Sequence, residues 1–442
     1  MEVSLYVNDA FLAHHNKPAR ARLRGLARNP AVSGALLRRL VDEHFQEIGT
    51  DLLFRRYWSA EQFDALAGHP DPDVRVCLAE ARHVTPEQRA RLVEDSSPRV
   101  VKVLVRGLLS FDLAIAVRES TLPPWAYDRL IDRDPELGKA IARSRGVPKE
   151  LRKQPSSITL RADEPVLELH EAEALIRRGS DRVRALEDAG TRLPADLVVR
   201  LAADASPEFR LAASMYPRLT EQQRAAIDYR VGPDDRIEPA RWAMITRDPQ
   251  VQRQCVYSAH IGLRRSVAYN RSLPPDLVAV LAEDDDFAVR LLLCENHADV
   301  PGELVLATYL EARTLSRDRL LNHPAFPRVG LARLASSADP SARRLVMLDP
   351  DATPELVEQL SYDPHPAVRA TTADDQRLSP SRVLELFDDP LITEGAAASP
   401  HLPVHVMERI LADAGSLAAE QIEGTPTIYL GNWKPDELPP KA

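Results

Sequence analysis

The chain has 442 residues, a formal net charge of −9, 44% hydrophobic residues and only 5% aromatics. With 28% charged residues this is the composition of a globular chain rather than a disordered one. The acid excess argues against the broad basic face that duplex nucleic acid needs. No apolar run approaches the ~20 residues of a membrane helix.

The first segment, MEVSLYVNDAFLAHHNKPAR, lacks a charged region followed by an apolar one, so no secretory signal is expected. Residues 1–57 are predicted to form an atypical N-terminal cap. Within them RLRGLARNP echoes the pattern that follows, whereas HFQEIGTDLLFRRYW does not. From residue 58 to 415 one phrase recurs. It reads HPDPDVRVCLAEARHVTPEQRARLVED from His69, DFAVRLLLCENHADVPGELVLATYL from Asp286, and DPHPAVRATTADDQRLSPSRVLELFDD from Asp363.

Each copy has a Pro/Asp turn, a Val-Arg pair opening a short apolar helix, a break, and a second helix started by Pro. In residues 69–95, Asp71 and Asp73 flank Pro72 and offer oxygens to the free N–H groups of the first helix. Val74, Leu78 and Ala79 make a short apolar stripe. Thr85 caps the second helix and Pro86 takes its first position, where a missing N–H costs nothing. The same grammar returns at Leu193–Pro194, Leu273–Pro274–Pro275 and Thr353–Pro354. Arg184 and Arg210, Arg264 and Arg290, and Arg343 and Arg369 each stand 26 residues apart. Loops near 140–165, 228–245 and 308–328 interrupt the register.

Helices this short are marginal alone and must stack. The pattern therefore predicts an all-α fold, a curved right-handed solenoid of short paired helices with repeats of about 26 residues. After residue 415 the pattern stops. Residues 416–442 form a tail in which Thr427–Ile428–Tyr429–Leu430 is β-prone and the end is rich in Pro. GTPTIYLG within it resembles the cis-Pro strand of thioredoxin-like proteins over eight residues, without the CxxC of that fold.

The opening "DPxVRxxLA" and continuation "TPxxLxxLxxD" resemble the variant leucine-rich repeat family, a neighbour of the HEAT-like repeats. The resemblance spans roughly Trp58 to Ala414. It implies a right-handed superhelix with one short or 3₁₀ helix in each pair, and a partner-binding role. The period here is longer than that family's, and its N-terminal cysteine cluster has no counterpart, so an iron–sulfur centre has no residues to stand on.

The recurrent Arg75, Arg184, Arg210, Arg290 and Arg369 are read as structural. Each is expected to pair with an Asp of its own turn and to bond loop carbonyls. Lys139–Arg161 differs, with seven basic residues against the single acid Glu150. In it Arg143, Arg145, Lys149, Arg152 and Lys153 are candidate partner-binding residues for an acidic partner or phosphates.

His401 and His405 have i, i+4 spacing, but Pro403 marks a helix start that leaves His401 outside, so no metal is expected. Asp284–Asp285–Asp286 reads as helix capping. Cys77, Cys255 and Cys294 read as reduced core thiols, placing the chain in the cytoplasm. No GxGxxG, P-loop, GxSxG or HExxH occurs, so no catalytic residue or cofactor is assigned. The expected function is a non-enzymatic scaffold binding a protein or peptide. The alternatives are a HEAT-like nucleic-acid-binding or DNA-repair protein, or an accessory subunit of a peptide-modifying enzyme.

Overall fold

A computed structural model describes residues 18–106, 122–143, 166–177, 193–233, 235–313 and 317–414, and every regular element in them is a helix. The chain packs as two compact units, one made of the residues up to His83 together with those from Thr353 onward, the other of Val84–Ala352.

The first unit begins with α1 (Pro18–Arg28), α2 (Gly34–Leu53), α3 (Ala60–Ala67) and α4 (Pro72–Glu80). Ser33 caps α2 and Ser59 caps α3, the latter with a reciprocal bond from Gln62. Asp71 accepts the Asp73 N–H at the start of α4, and Val74, Leu78 and Ala79 are buried. α2 is long for this chain. His44 in its middle has φ −136°, ψ 21°, so it joins two helices across a kink. The half after the kink precedes α4 by about one repeat. That half and α4 are neighbours, with Cys77 Sγ lying 3.3 Å from the Gly49 carbonyl.

The second unit opens with α5 (Pro86–Ala90), capped by Thr85 and Gln88 as a reciprocal box. Later come α6 (Pro207–Ser214), α7 (Ile261–Ala268), α8 (Pro275–Ala282), α9 (Phe287–Asn296) and α10 (Gly302–Glu311). α7 packs on α9 one repeat later, and α8 on α9 within one turn of the pattern. Leu263, Val267, Leu277, Leu281, Val289, Leu293 and Val305 fill the layers between them. Each fully buried Leu or Val contributes about 1.5–3 kcal/mol, which helices of eight to ten residues require to persist.

The first unit resumes with α11 (Pro354–Leu360), α12 (Pro366–Ala373), α13 (Pro380–Phe387), α14 (Thr393–Ala397) and α15 (Val404–Ala414). α12 packs on α14 as α7 does on α9, and α14 and α15 then pack on α1. α1 thus packs on α14 and α15 as a following helix pair would. The glycines mark this step twice. A side chain at Gly395 would meet the Ala370 carbonyl at 2.6 Å, and one at Gly25 would collide with the Glu394 carbonyl. Both positions need the missing Cβ for backbone to approach backbone.

Candidate functional site

The recurrent arginines are committed to the fold. Arg210, Arg264, Arg290, Arg343 and Arg369 donate from Nη1 to the carbonyl six residues back, at 2.6–3.0 Å. Arg75 bonds the His69 carbonyl in the same way. The acidic partner comes from the following turn rather than their own: Asp284 for Arg264 and Glu311 for Arg290, both at 2.7 Å, and Asp389 for Arg369 at 3.4 Å. A guanidinium seated on the carbonyls of its own turn has its remaining N–H groups facing the next turn, so the acid it meets belongs there. Arg184 lies outside the described residues.

A second set of side chains stitches one repeat to the previous one. In the second unit Asn270 Nδ2 donates to the Ala243 and Thr246 carbonyls at 3.0 and 2.8 Å, and His297 and His323 reach the Ala268 and His297 carbonyls at 3.1 and 3.0 Å. His323 Nδ1 accepts the Ala325 N–H, so its Nε2 carries the proton. In the first unit Arg55 bonds the Ala27 and Asn29 carbonyls at 2.6 and 2.7 Å, and His401 bonds the Gln376 carbonyl at 2.8 Å. His401 is therefore a joint residue outside α15, as its position before Pro403 implied. No group of three metal-ligating side chains occurs among the described residues.

Ser214 and His260 look like a nucleophile and its base, 2.7 Å apart and fully buried. The bonding assigns them otherwise. His260 Nδ1 accepts the Gly262 N–H, so Nε2–H donates to Ser214 Oγ, and Ser214 in turn donates to the Leu211 carbonyl. An imidazole donating to the hydroxyl cannot take its proton. Burial, then the Arg224 charge, push the pKa of His260 down to about 4, and the ring stacks on Tyr229 at 4.1 Å between centroids. The pair is a neutral polar plug in a repeat joint.

Among the uncommitted side chains of the second unit are an acid and a tyrosine that stand close together. Five residues beyond Arg210, Arg264, Arg290 and Arg343 stand Met215, Tyr269, Glu295 and Leu348. Glu295 is half-buried, and neither its carboxylate nor the Tyr269 hydroxyl has a hydrogen-bond partner among the described residues. Burial pushes Glu295 above the usual carboxylate range, opposed only by the Arg319 charge. Tyr269 is raised by burial and then by Glu295 itself, and Arg236 and Glu238 are its other charged neighbours.

The first unit has its own acidic feature, a cavity of about 380 Å³ lined by Val41, Asp42, Glu43, Phe45, Gln46, Glu47, His69, Asp71 and Val74. Its Asp42 is held by Arg38 at 2.9 Å and by His69 at 2.8 Å. Its Glu47 is exposed and has no hydrogen-bond partner among the described residues. The exposed hydrophobics include Tyr57, Trp125, Tyr257 and Tyr362.

Of the basic candidates, Arg145, Lys149, Arg152 and Lys153 lie outside the described residues. Arg143 ends the helix Pro135–Arg143 with a side chain that is not described. Lys139, at the edge of that segment, pairs with Glu136 at 2.6 Å. Cys77, Cys255 and Cys294 are buried and unbridged, and burial pushes their thiols up to about 12, about 12 and about 11. They are core residues rather than nucleophiles. No described helix is long and apolar enough to cross a membrane. Comparison with protein-family models, curated proteins and solved structures finds no match.

Proposed function

We propose that this chain is a helical-repeat scaffold, a curved solenoid of the variant leucine-rich repeat kind, that binds a protein or peptide segment carrying Lys or Arg side chains. The observation that carries the reading is Glu295, a half-buried carboxylate with no hydrogen bond from the described residues, beside the open hydroxyl of Tyr269. Burying a carboxylate without partners is unfavourable, and its own fold gives it only the neighbouring Arg319 charge in return. A guanidinium or ammonium laid against Tyr269 would supply the missing donors and use the ring face as well.

The cavity beside the α2 kink supports the same ligand chemistry, with Val41, Phe45 and Val74 for an aliphatic stem and Glu43 and Glu47 for its cationic head. The described recurrent arginines, which a phosphate backbone would need free, are occupied. Three buried unbridged thiols are consistent with a reducing, cytoplasmic compartment.

Fluorescence anisotropy tests this with three labelled probes: an Arg/Lys-rich peptide, a Glu-rich peptide of equal length, and single-stranded DNA. The basic peptide is expected to bind, more weakly as salt rises. Glu295→Gln should lower its affinity by roughly tenfold or more while the helical circular dichroism stays unchanged. Binding of the DNA or the acidic peptide alone, or basic-peptide binding indifferent to Glu295→Gln, overturns the assignment.

A further inference from the structure

The joint between α1 and α14 is unlike the others in the first unit because no peptide bond continues across it. Its partners are some 370 residues apart in sequence. Asn29 Nδ2 donates to the Ala397 and Ser399 carbonyls at 2.9 and 2.6 Å, and Arg22 Nε donates to Thr393 Oγ1 at 3.0 Å while lying over the Phe387 ring. Around these bonds sits a charged group. Arg28 meets Glu394 at 2.6 Å and Asp51 at 3.7 Å, and Arg24 meets Asp51 at 3.1 Å and Glu394 at 3.5 Å.

The charges are incompletely compensated. Asp51 is nearly buried, and Arg28 Nε is buried with no hydrogen-bond partner. A second acid, Asp374, is pushed above the usual carboxylate range by burial, with the Arg56 and Arg28 charges only partly opposing it. Contrast the buried pair of the second unit. Arg265 holds Asp286 through two nitrogens at 2.8 and 2.7 Å, its other N–H groups bond the Gly232, Pro233 and Asp235 carbonyls, and Asp286 also caps Val289. A buried ion group stabilises only when its remaining donors and acceptors are satisfied. The α1–α14 group falls short of that standard, at the one joint of the unit where separation breaks no chain connection.

We propose that the α1–α14 seam is a latch. It opens as a unit, ahead of the rest of the first unit, freeing α1 from α14 and α15 while α2–α4 and α11–α13 stay packed. The bonds that close it are those of an ordinary repeat joint, and helices this short, once freed from their neighbours, no longer hold their own backbone hydrogen bonds firmly.

Hydrogen–deuterium exchange of the full chain, followed by mass spectrometry, reads this directly. Peptides from α1, α14 and α15 should exchange at least roughly tenfold faster than those of α2, α4 and α12, because sub-global openings expose only the elements they release. Asn29→Ala should accelerate the first group by roughly a further tenfold and leave the second unchanged. Joining Ala442 to Met1 by a short Gly/Ser linker should slow the first group, since the opened ends then stay close. Equal exchange in both groups, or an Asn29→Ala effect spread evenly through the unit, overturns the latch. If Asn29→Ala fails to fold, the joined chain still decides: unchanged exchange of α1 and α14 in it counts against the proposal.

Discussion

Asn29 and Asn270 perform the same task at two very different joints. Each donates two hydrogen bonds to turn carbonyls of the neighbouring repeat, at 2.9 and 2.6 Å for Asn29 and 3.0 and 2.8 Å for Asn270. Each accepts an N–H from the residue two ahead, Ala31 and Ser272 respectively. For Asn270 the neighbour is 27 residues earlier in the chain, and for Asn29 it is 368 residues later. A repeat joint is therefore defined by the faces it brings together, independently of the order in which the chain supplies them. The two joints differ in what surrounds the shared bonds. Neutral side chains, Ser272 and Gln252, accompany Asn270, whereas four charged groups accompany Asn29.

Substitutions at glycine should expose the closeness of the non-covalent joint most strongly. Gly25→Ala places a methyl group against the Glu394 carbonyl, which is backbone and cannot turn aside. A loss of about 3 kcal/mol is expected on thermal or denaturant unfolding, at the upper end of overpacking costs. Gly49→Ala in α2 is the control. Its nearest neighbour is the Phe45 ring at 3.4 Å, an ordinary contact. There the better helix propensity should leave the protein unchanged or more stable by about 0.5–1 kcal/mol. A Gly25→Ala protein as stable as the parent would mean that α1 is not seated as described.

Acid should distinguish the units. His260 has its folded pKa lowered from 6.5 to about 4, so the unfolded chain binds the proton more tightly. Its contribution is complete above about pH 6.5 and is lost as pH falls toward 4, reaching about 3 kcal/mol, an order-of-magnitude figure. The helices around His260, α6 and α7, should therefore lose exchange protection between pH 6.5 and 4. In a His260→Gln protein that pH-dependent loss should shrink, even if the variant starts from a lower stability. An identical acid profile for parent and variant would show that another group governs the transition.

Much of the fold was legible because its grammar is local. The caps at Asp71, Thr85, Ser379 and Thr353 lie next to the Pro they precede, and each described recurrent Arg stands six residues past the carbonyl it bonds. The joint residues were harder to see, although His297, His323 and His401 fall on one 26-residue spacing, with Asp349 and Asp375, which accept N–H groups instead, at the two places between His323 and His401. Residue identity changes along that column because the position asks only for a hydrogen-bonding side chain, so a search for repeated letters passes over it. The seam was not legible at all. Nothing local in RLRGLARNP says that Gly25 and Asn29 complement Glu394 and Ala397. Glu295 was equally hidden, since a carboxylate on a short helix reads as a solvated face until its lack of partners is seen in three dimensions.

The central claim is that α1 stands to α14 and α15 as one repeat stands to the next. A circular permutant tests it most directly, with Ala442 joined to Met1 and new ends opened between Arg328 and Val329, in an exposed turn of the second unit. If α1 follows α15 as one repeat follows another, covalent joining there costs nothing that the fold requires. The permutant should then keep the parent's helical circular dichroism and melt within a few degrees of it. A permutant that loses its helical signal, while the parent chain nicked at the same Arg328–Val329 bond retains it, would contradict the account.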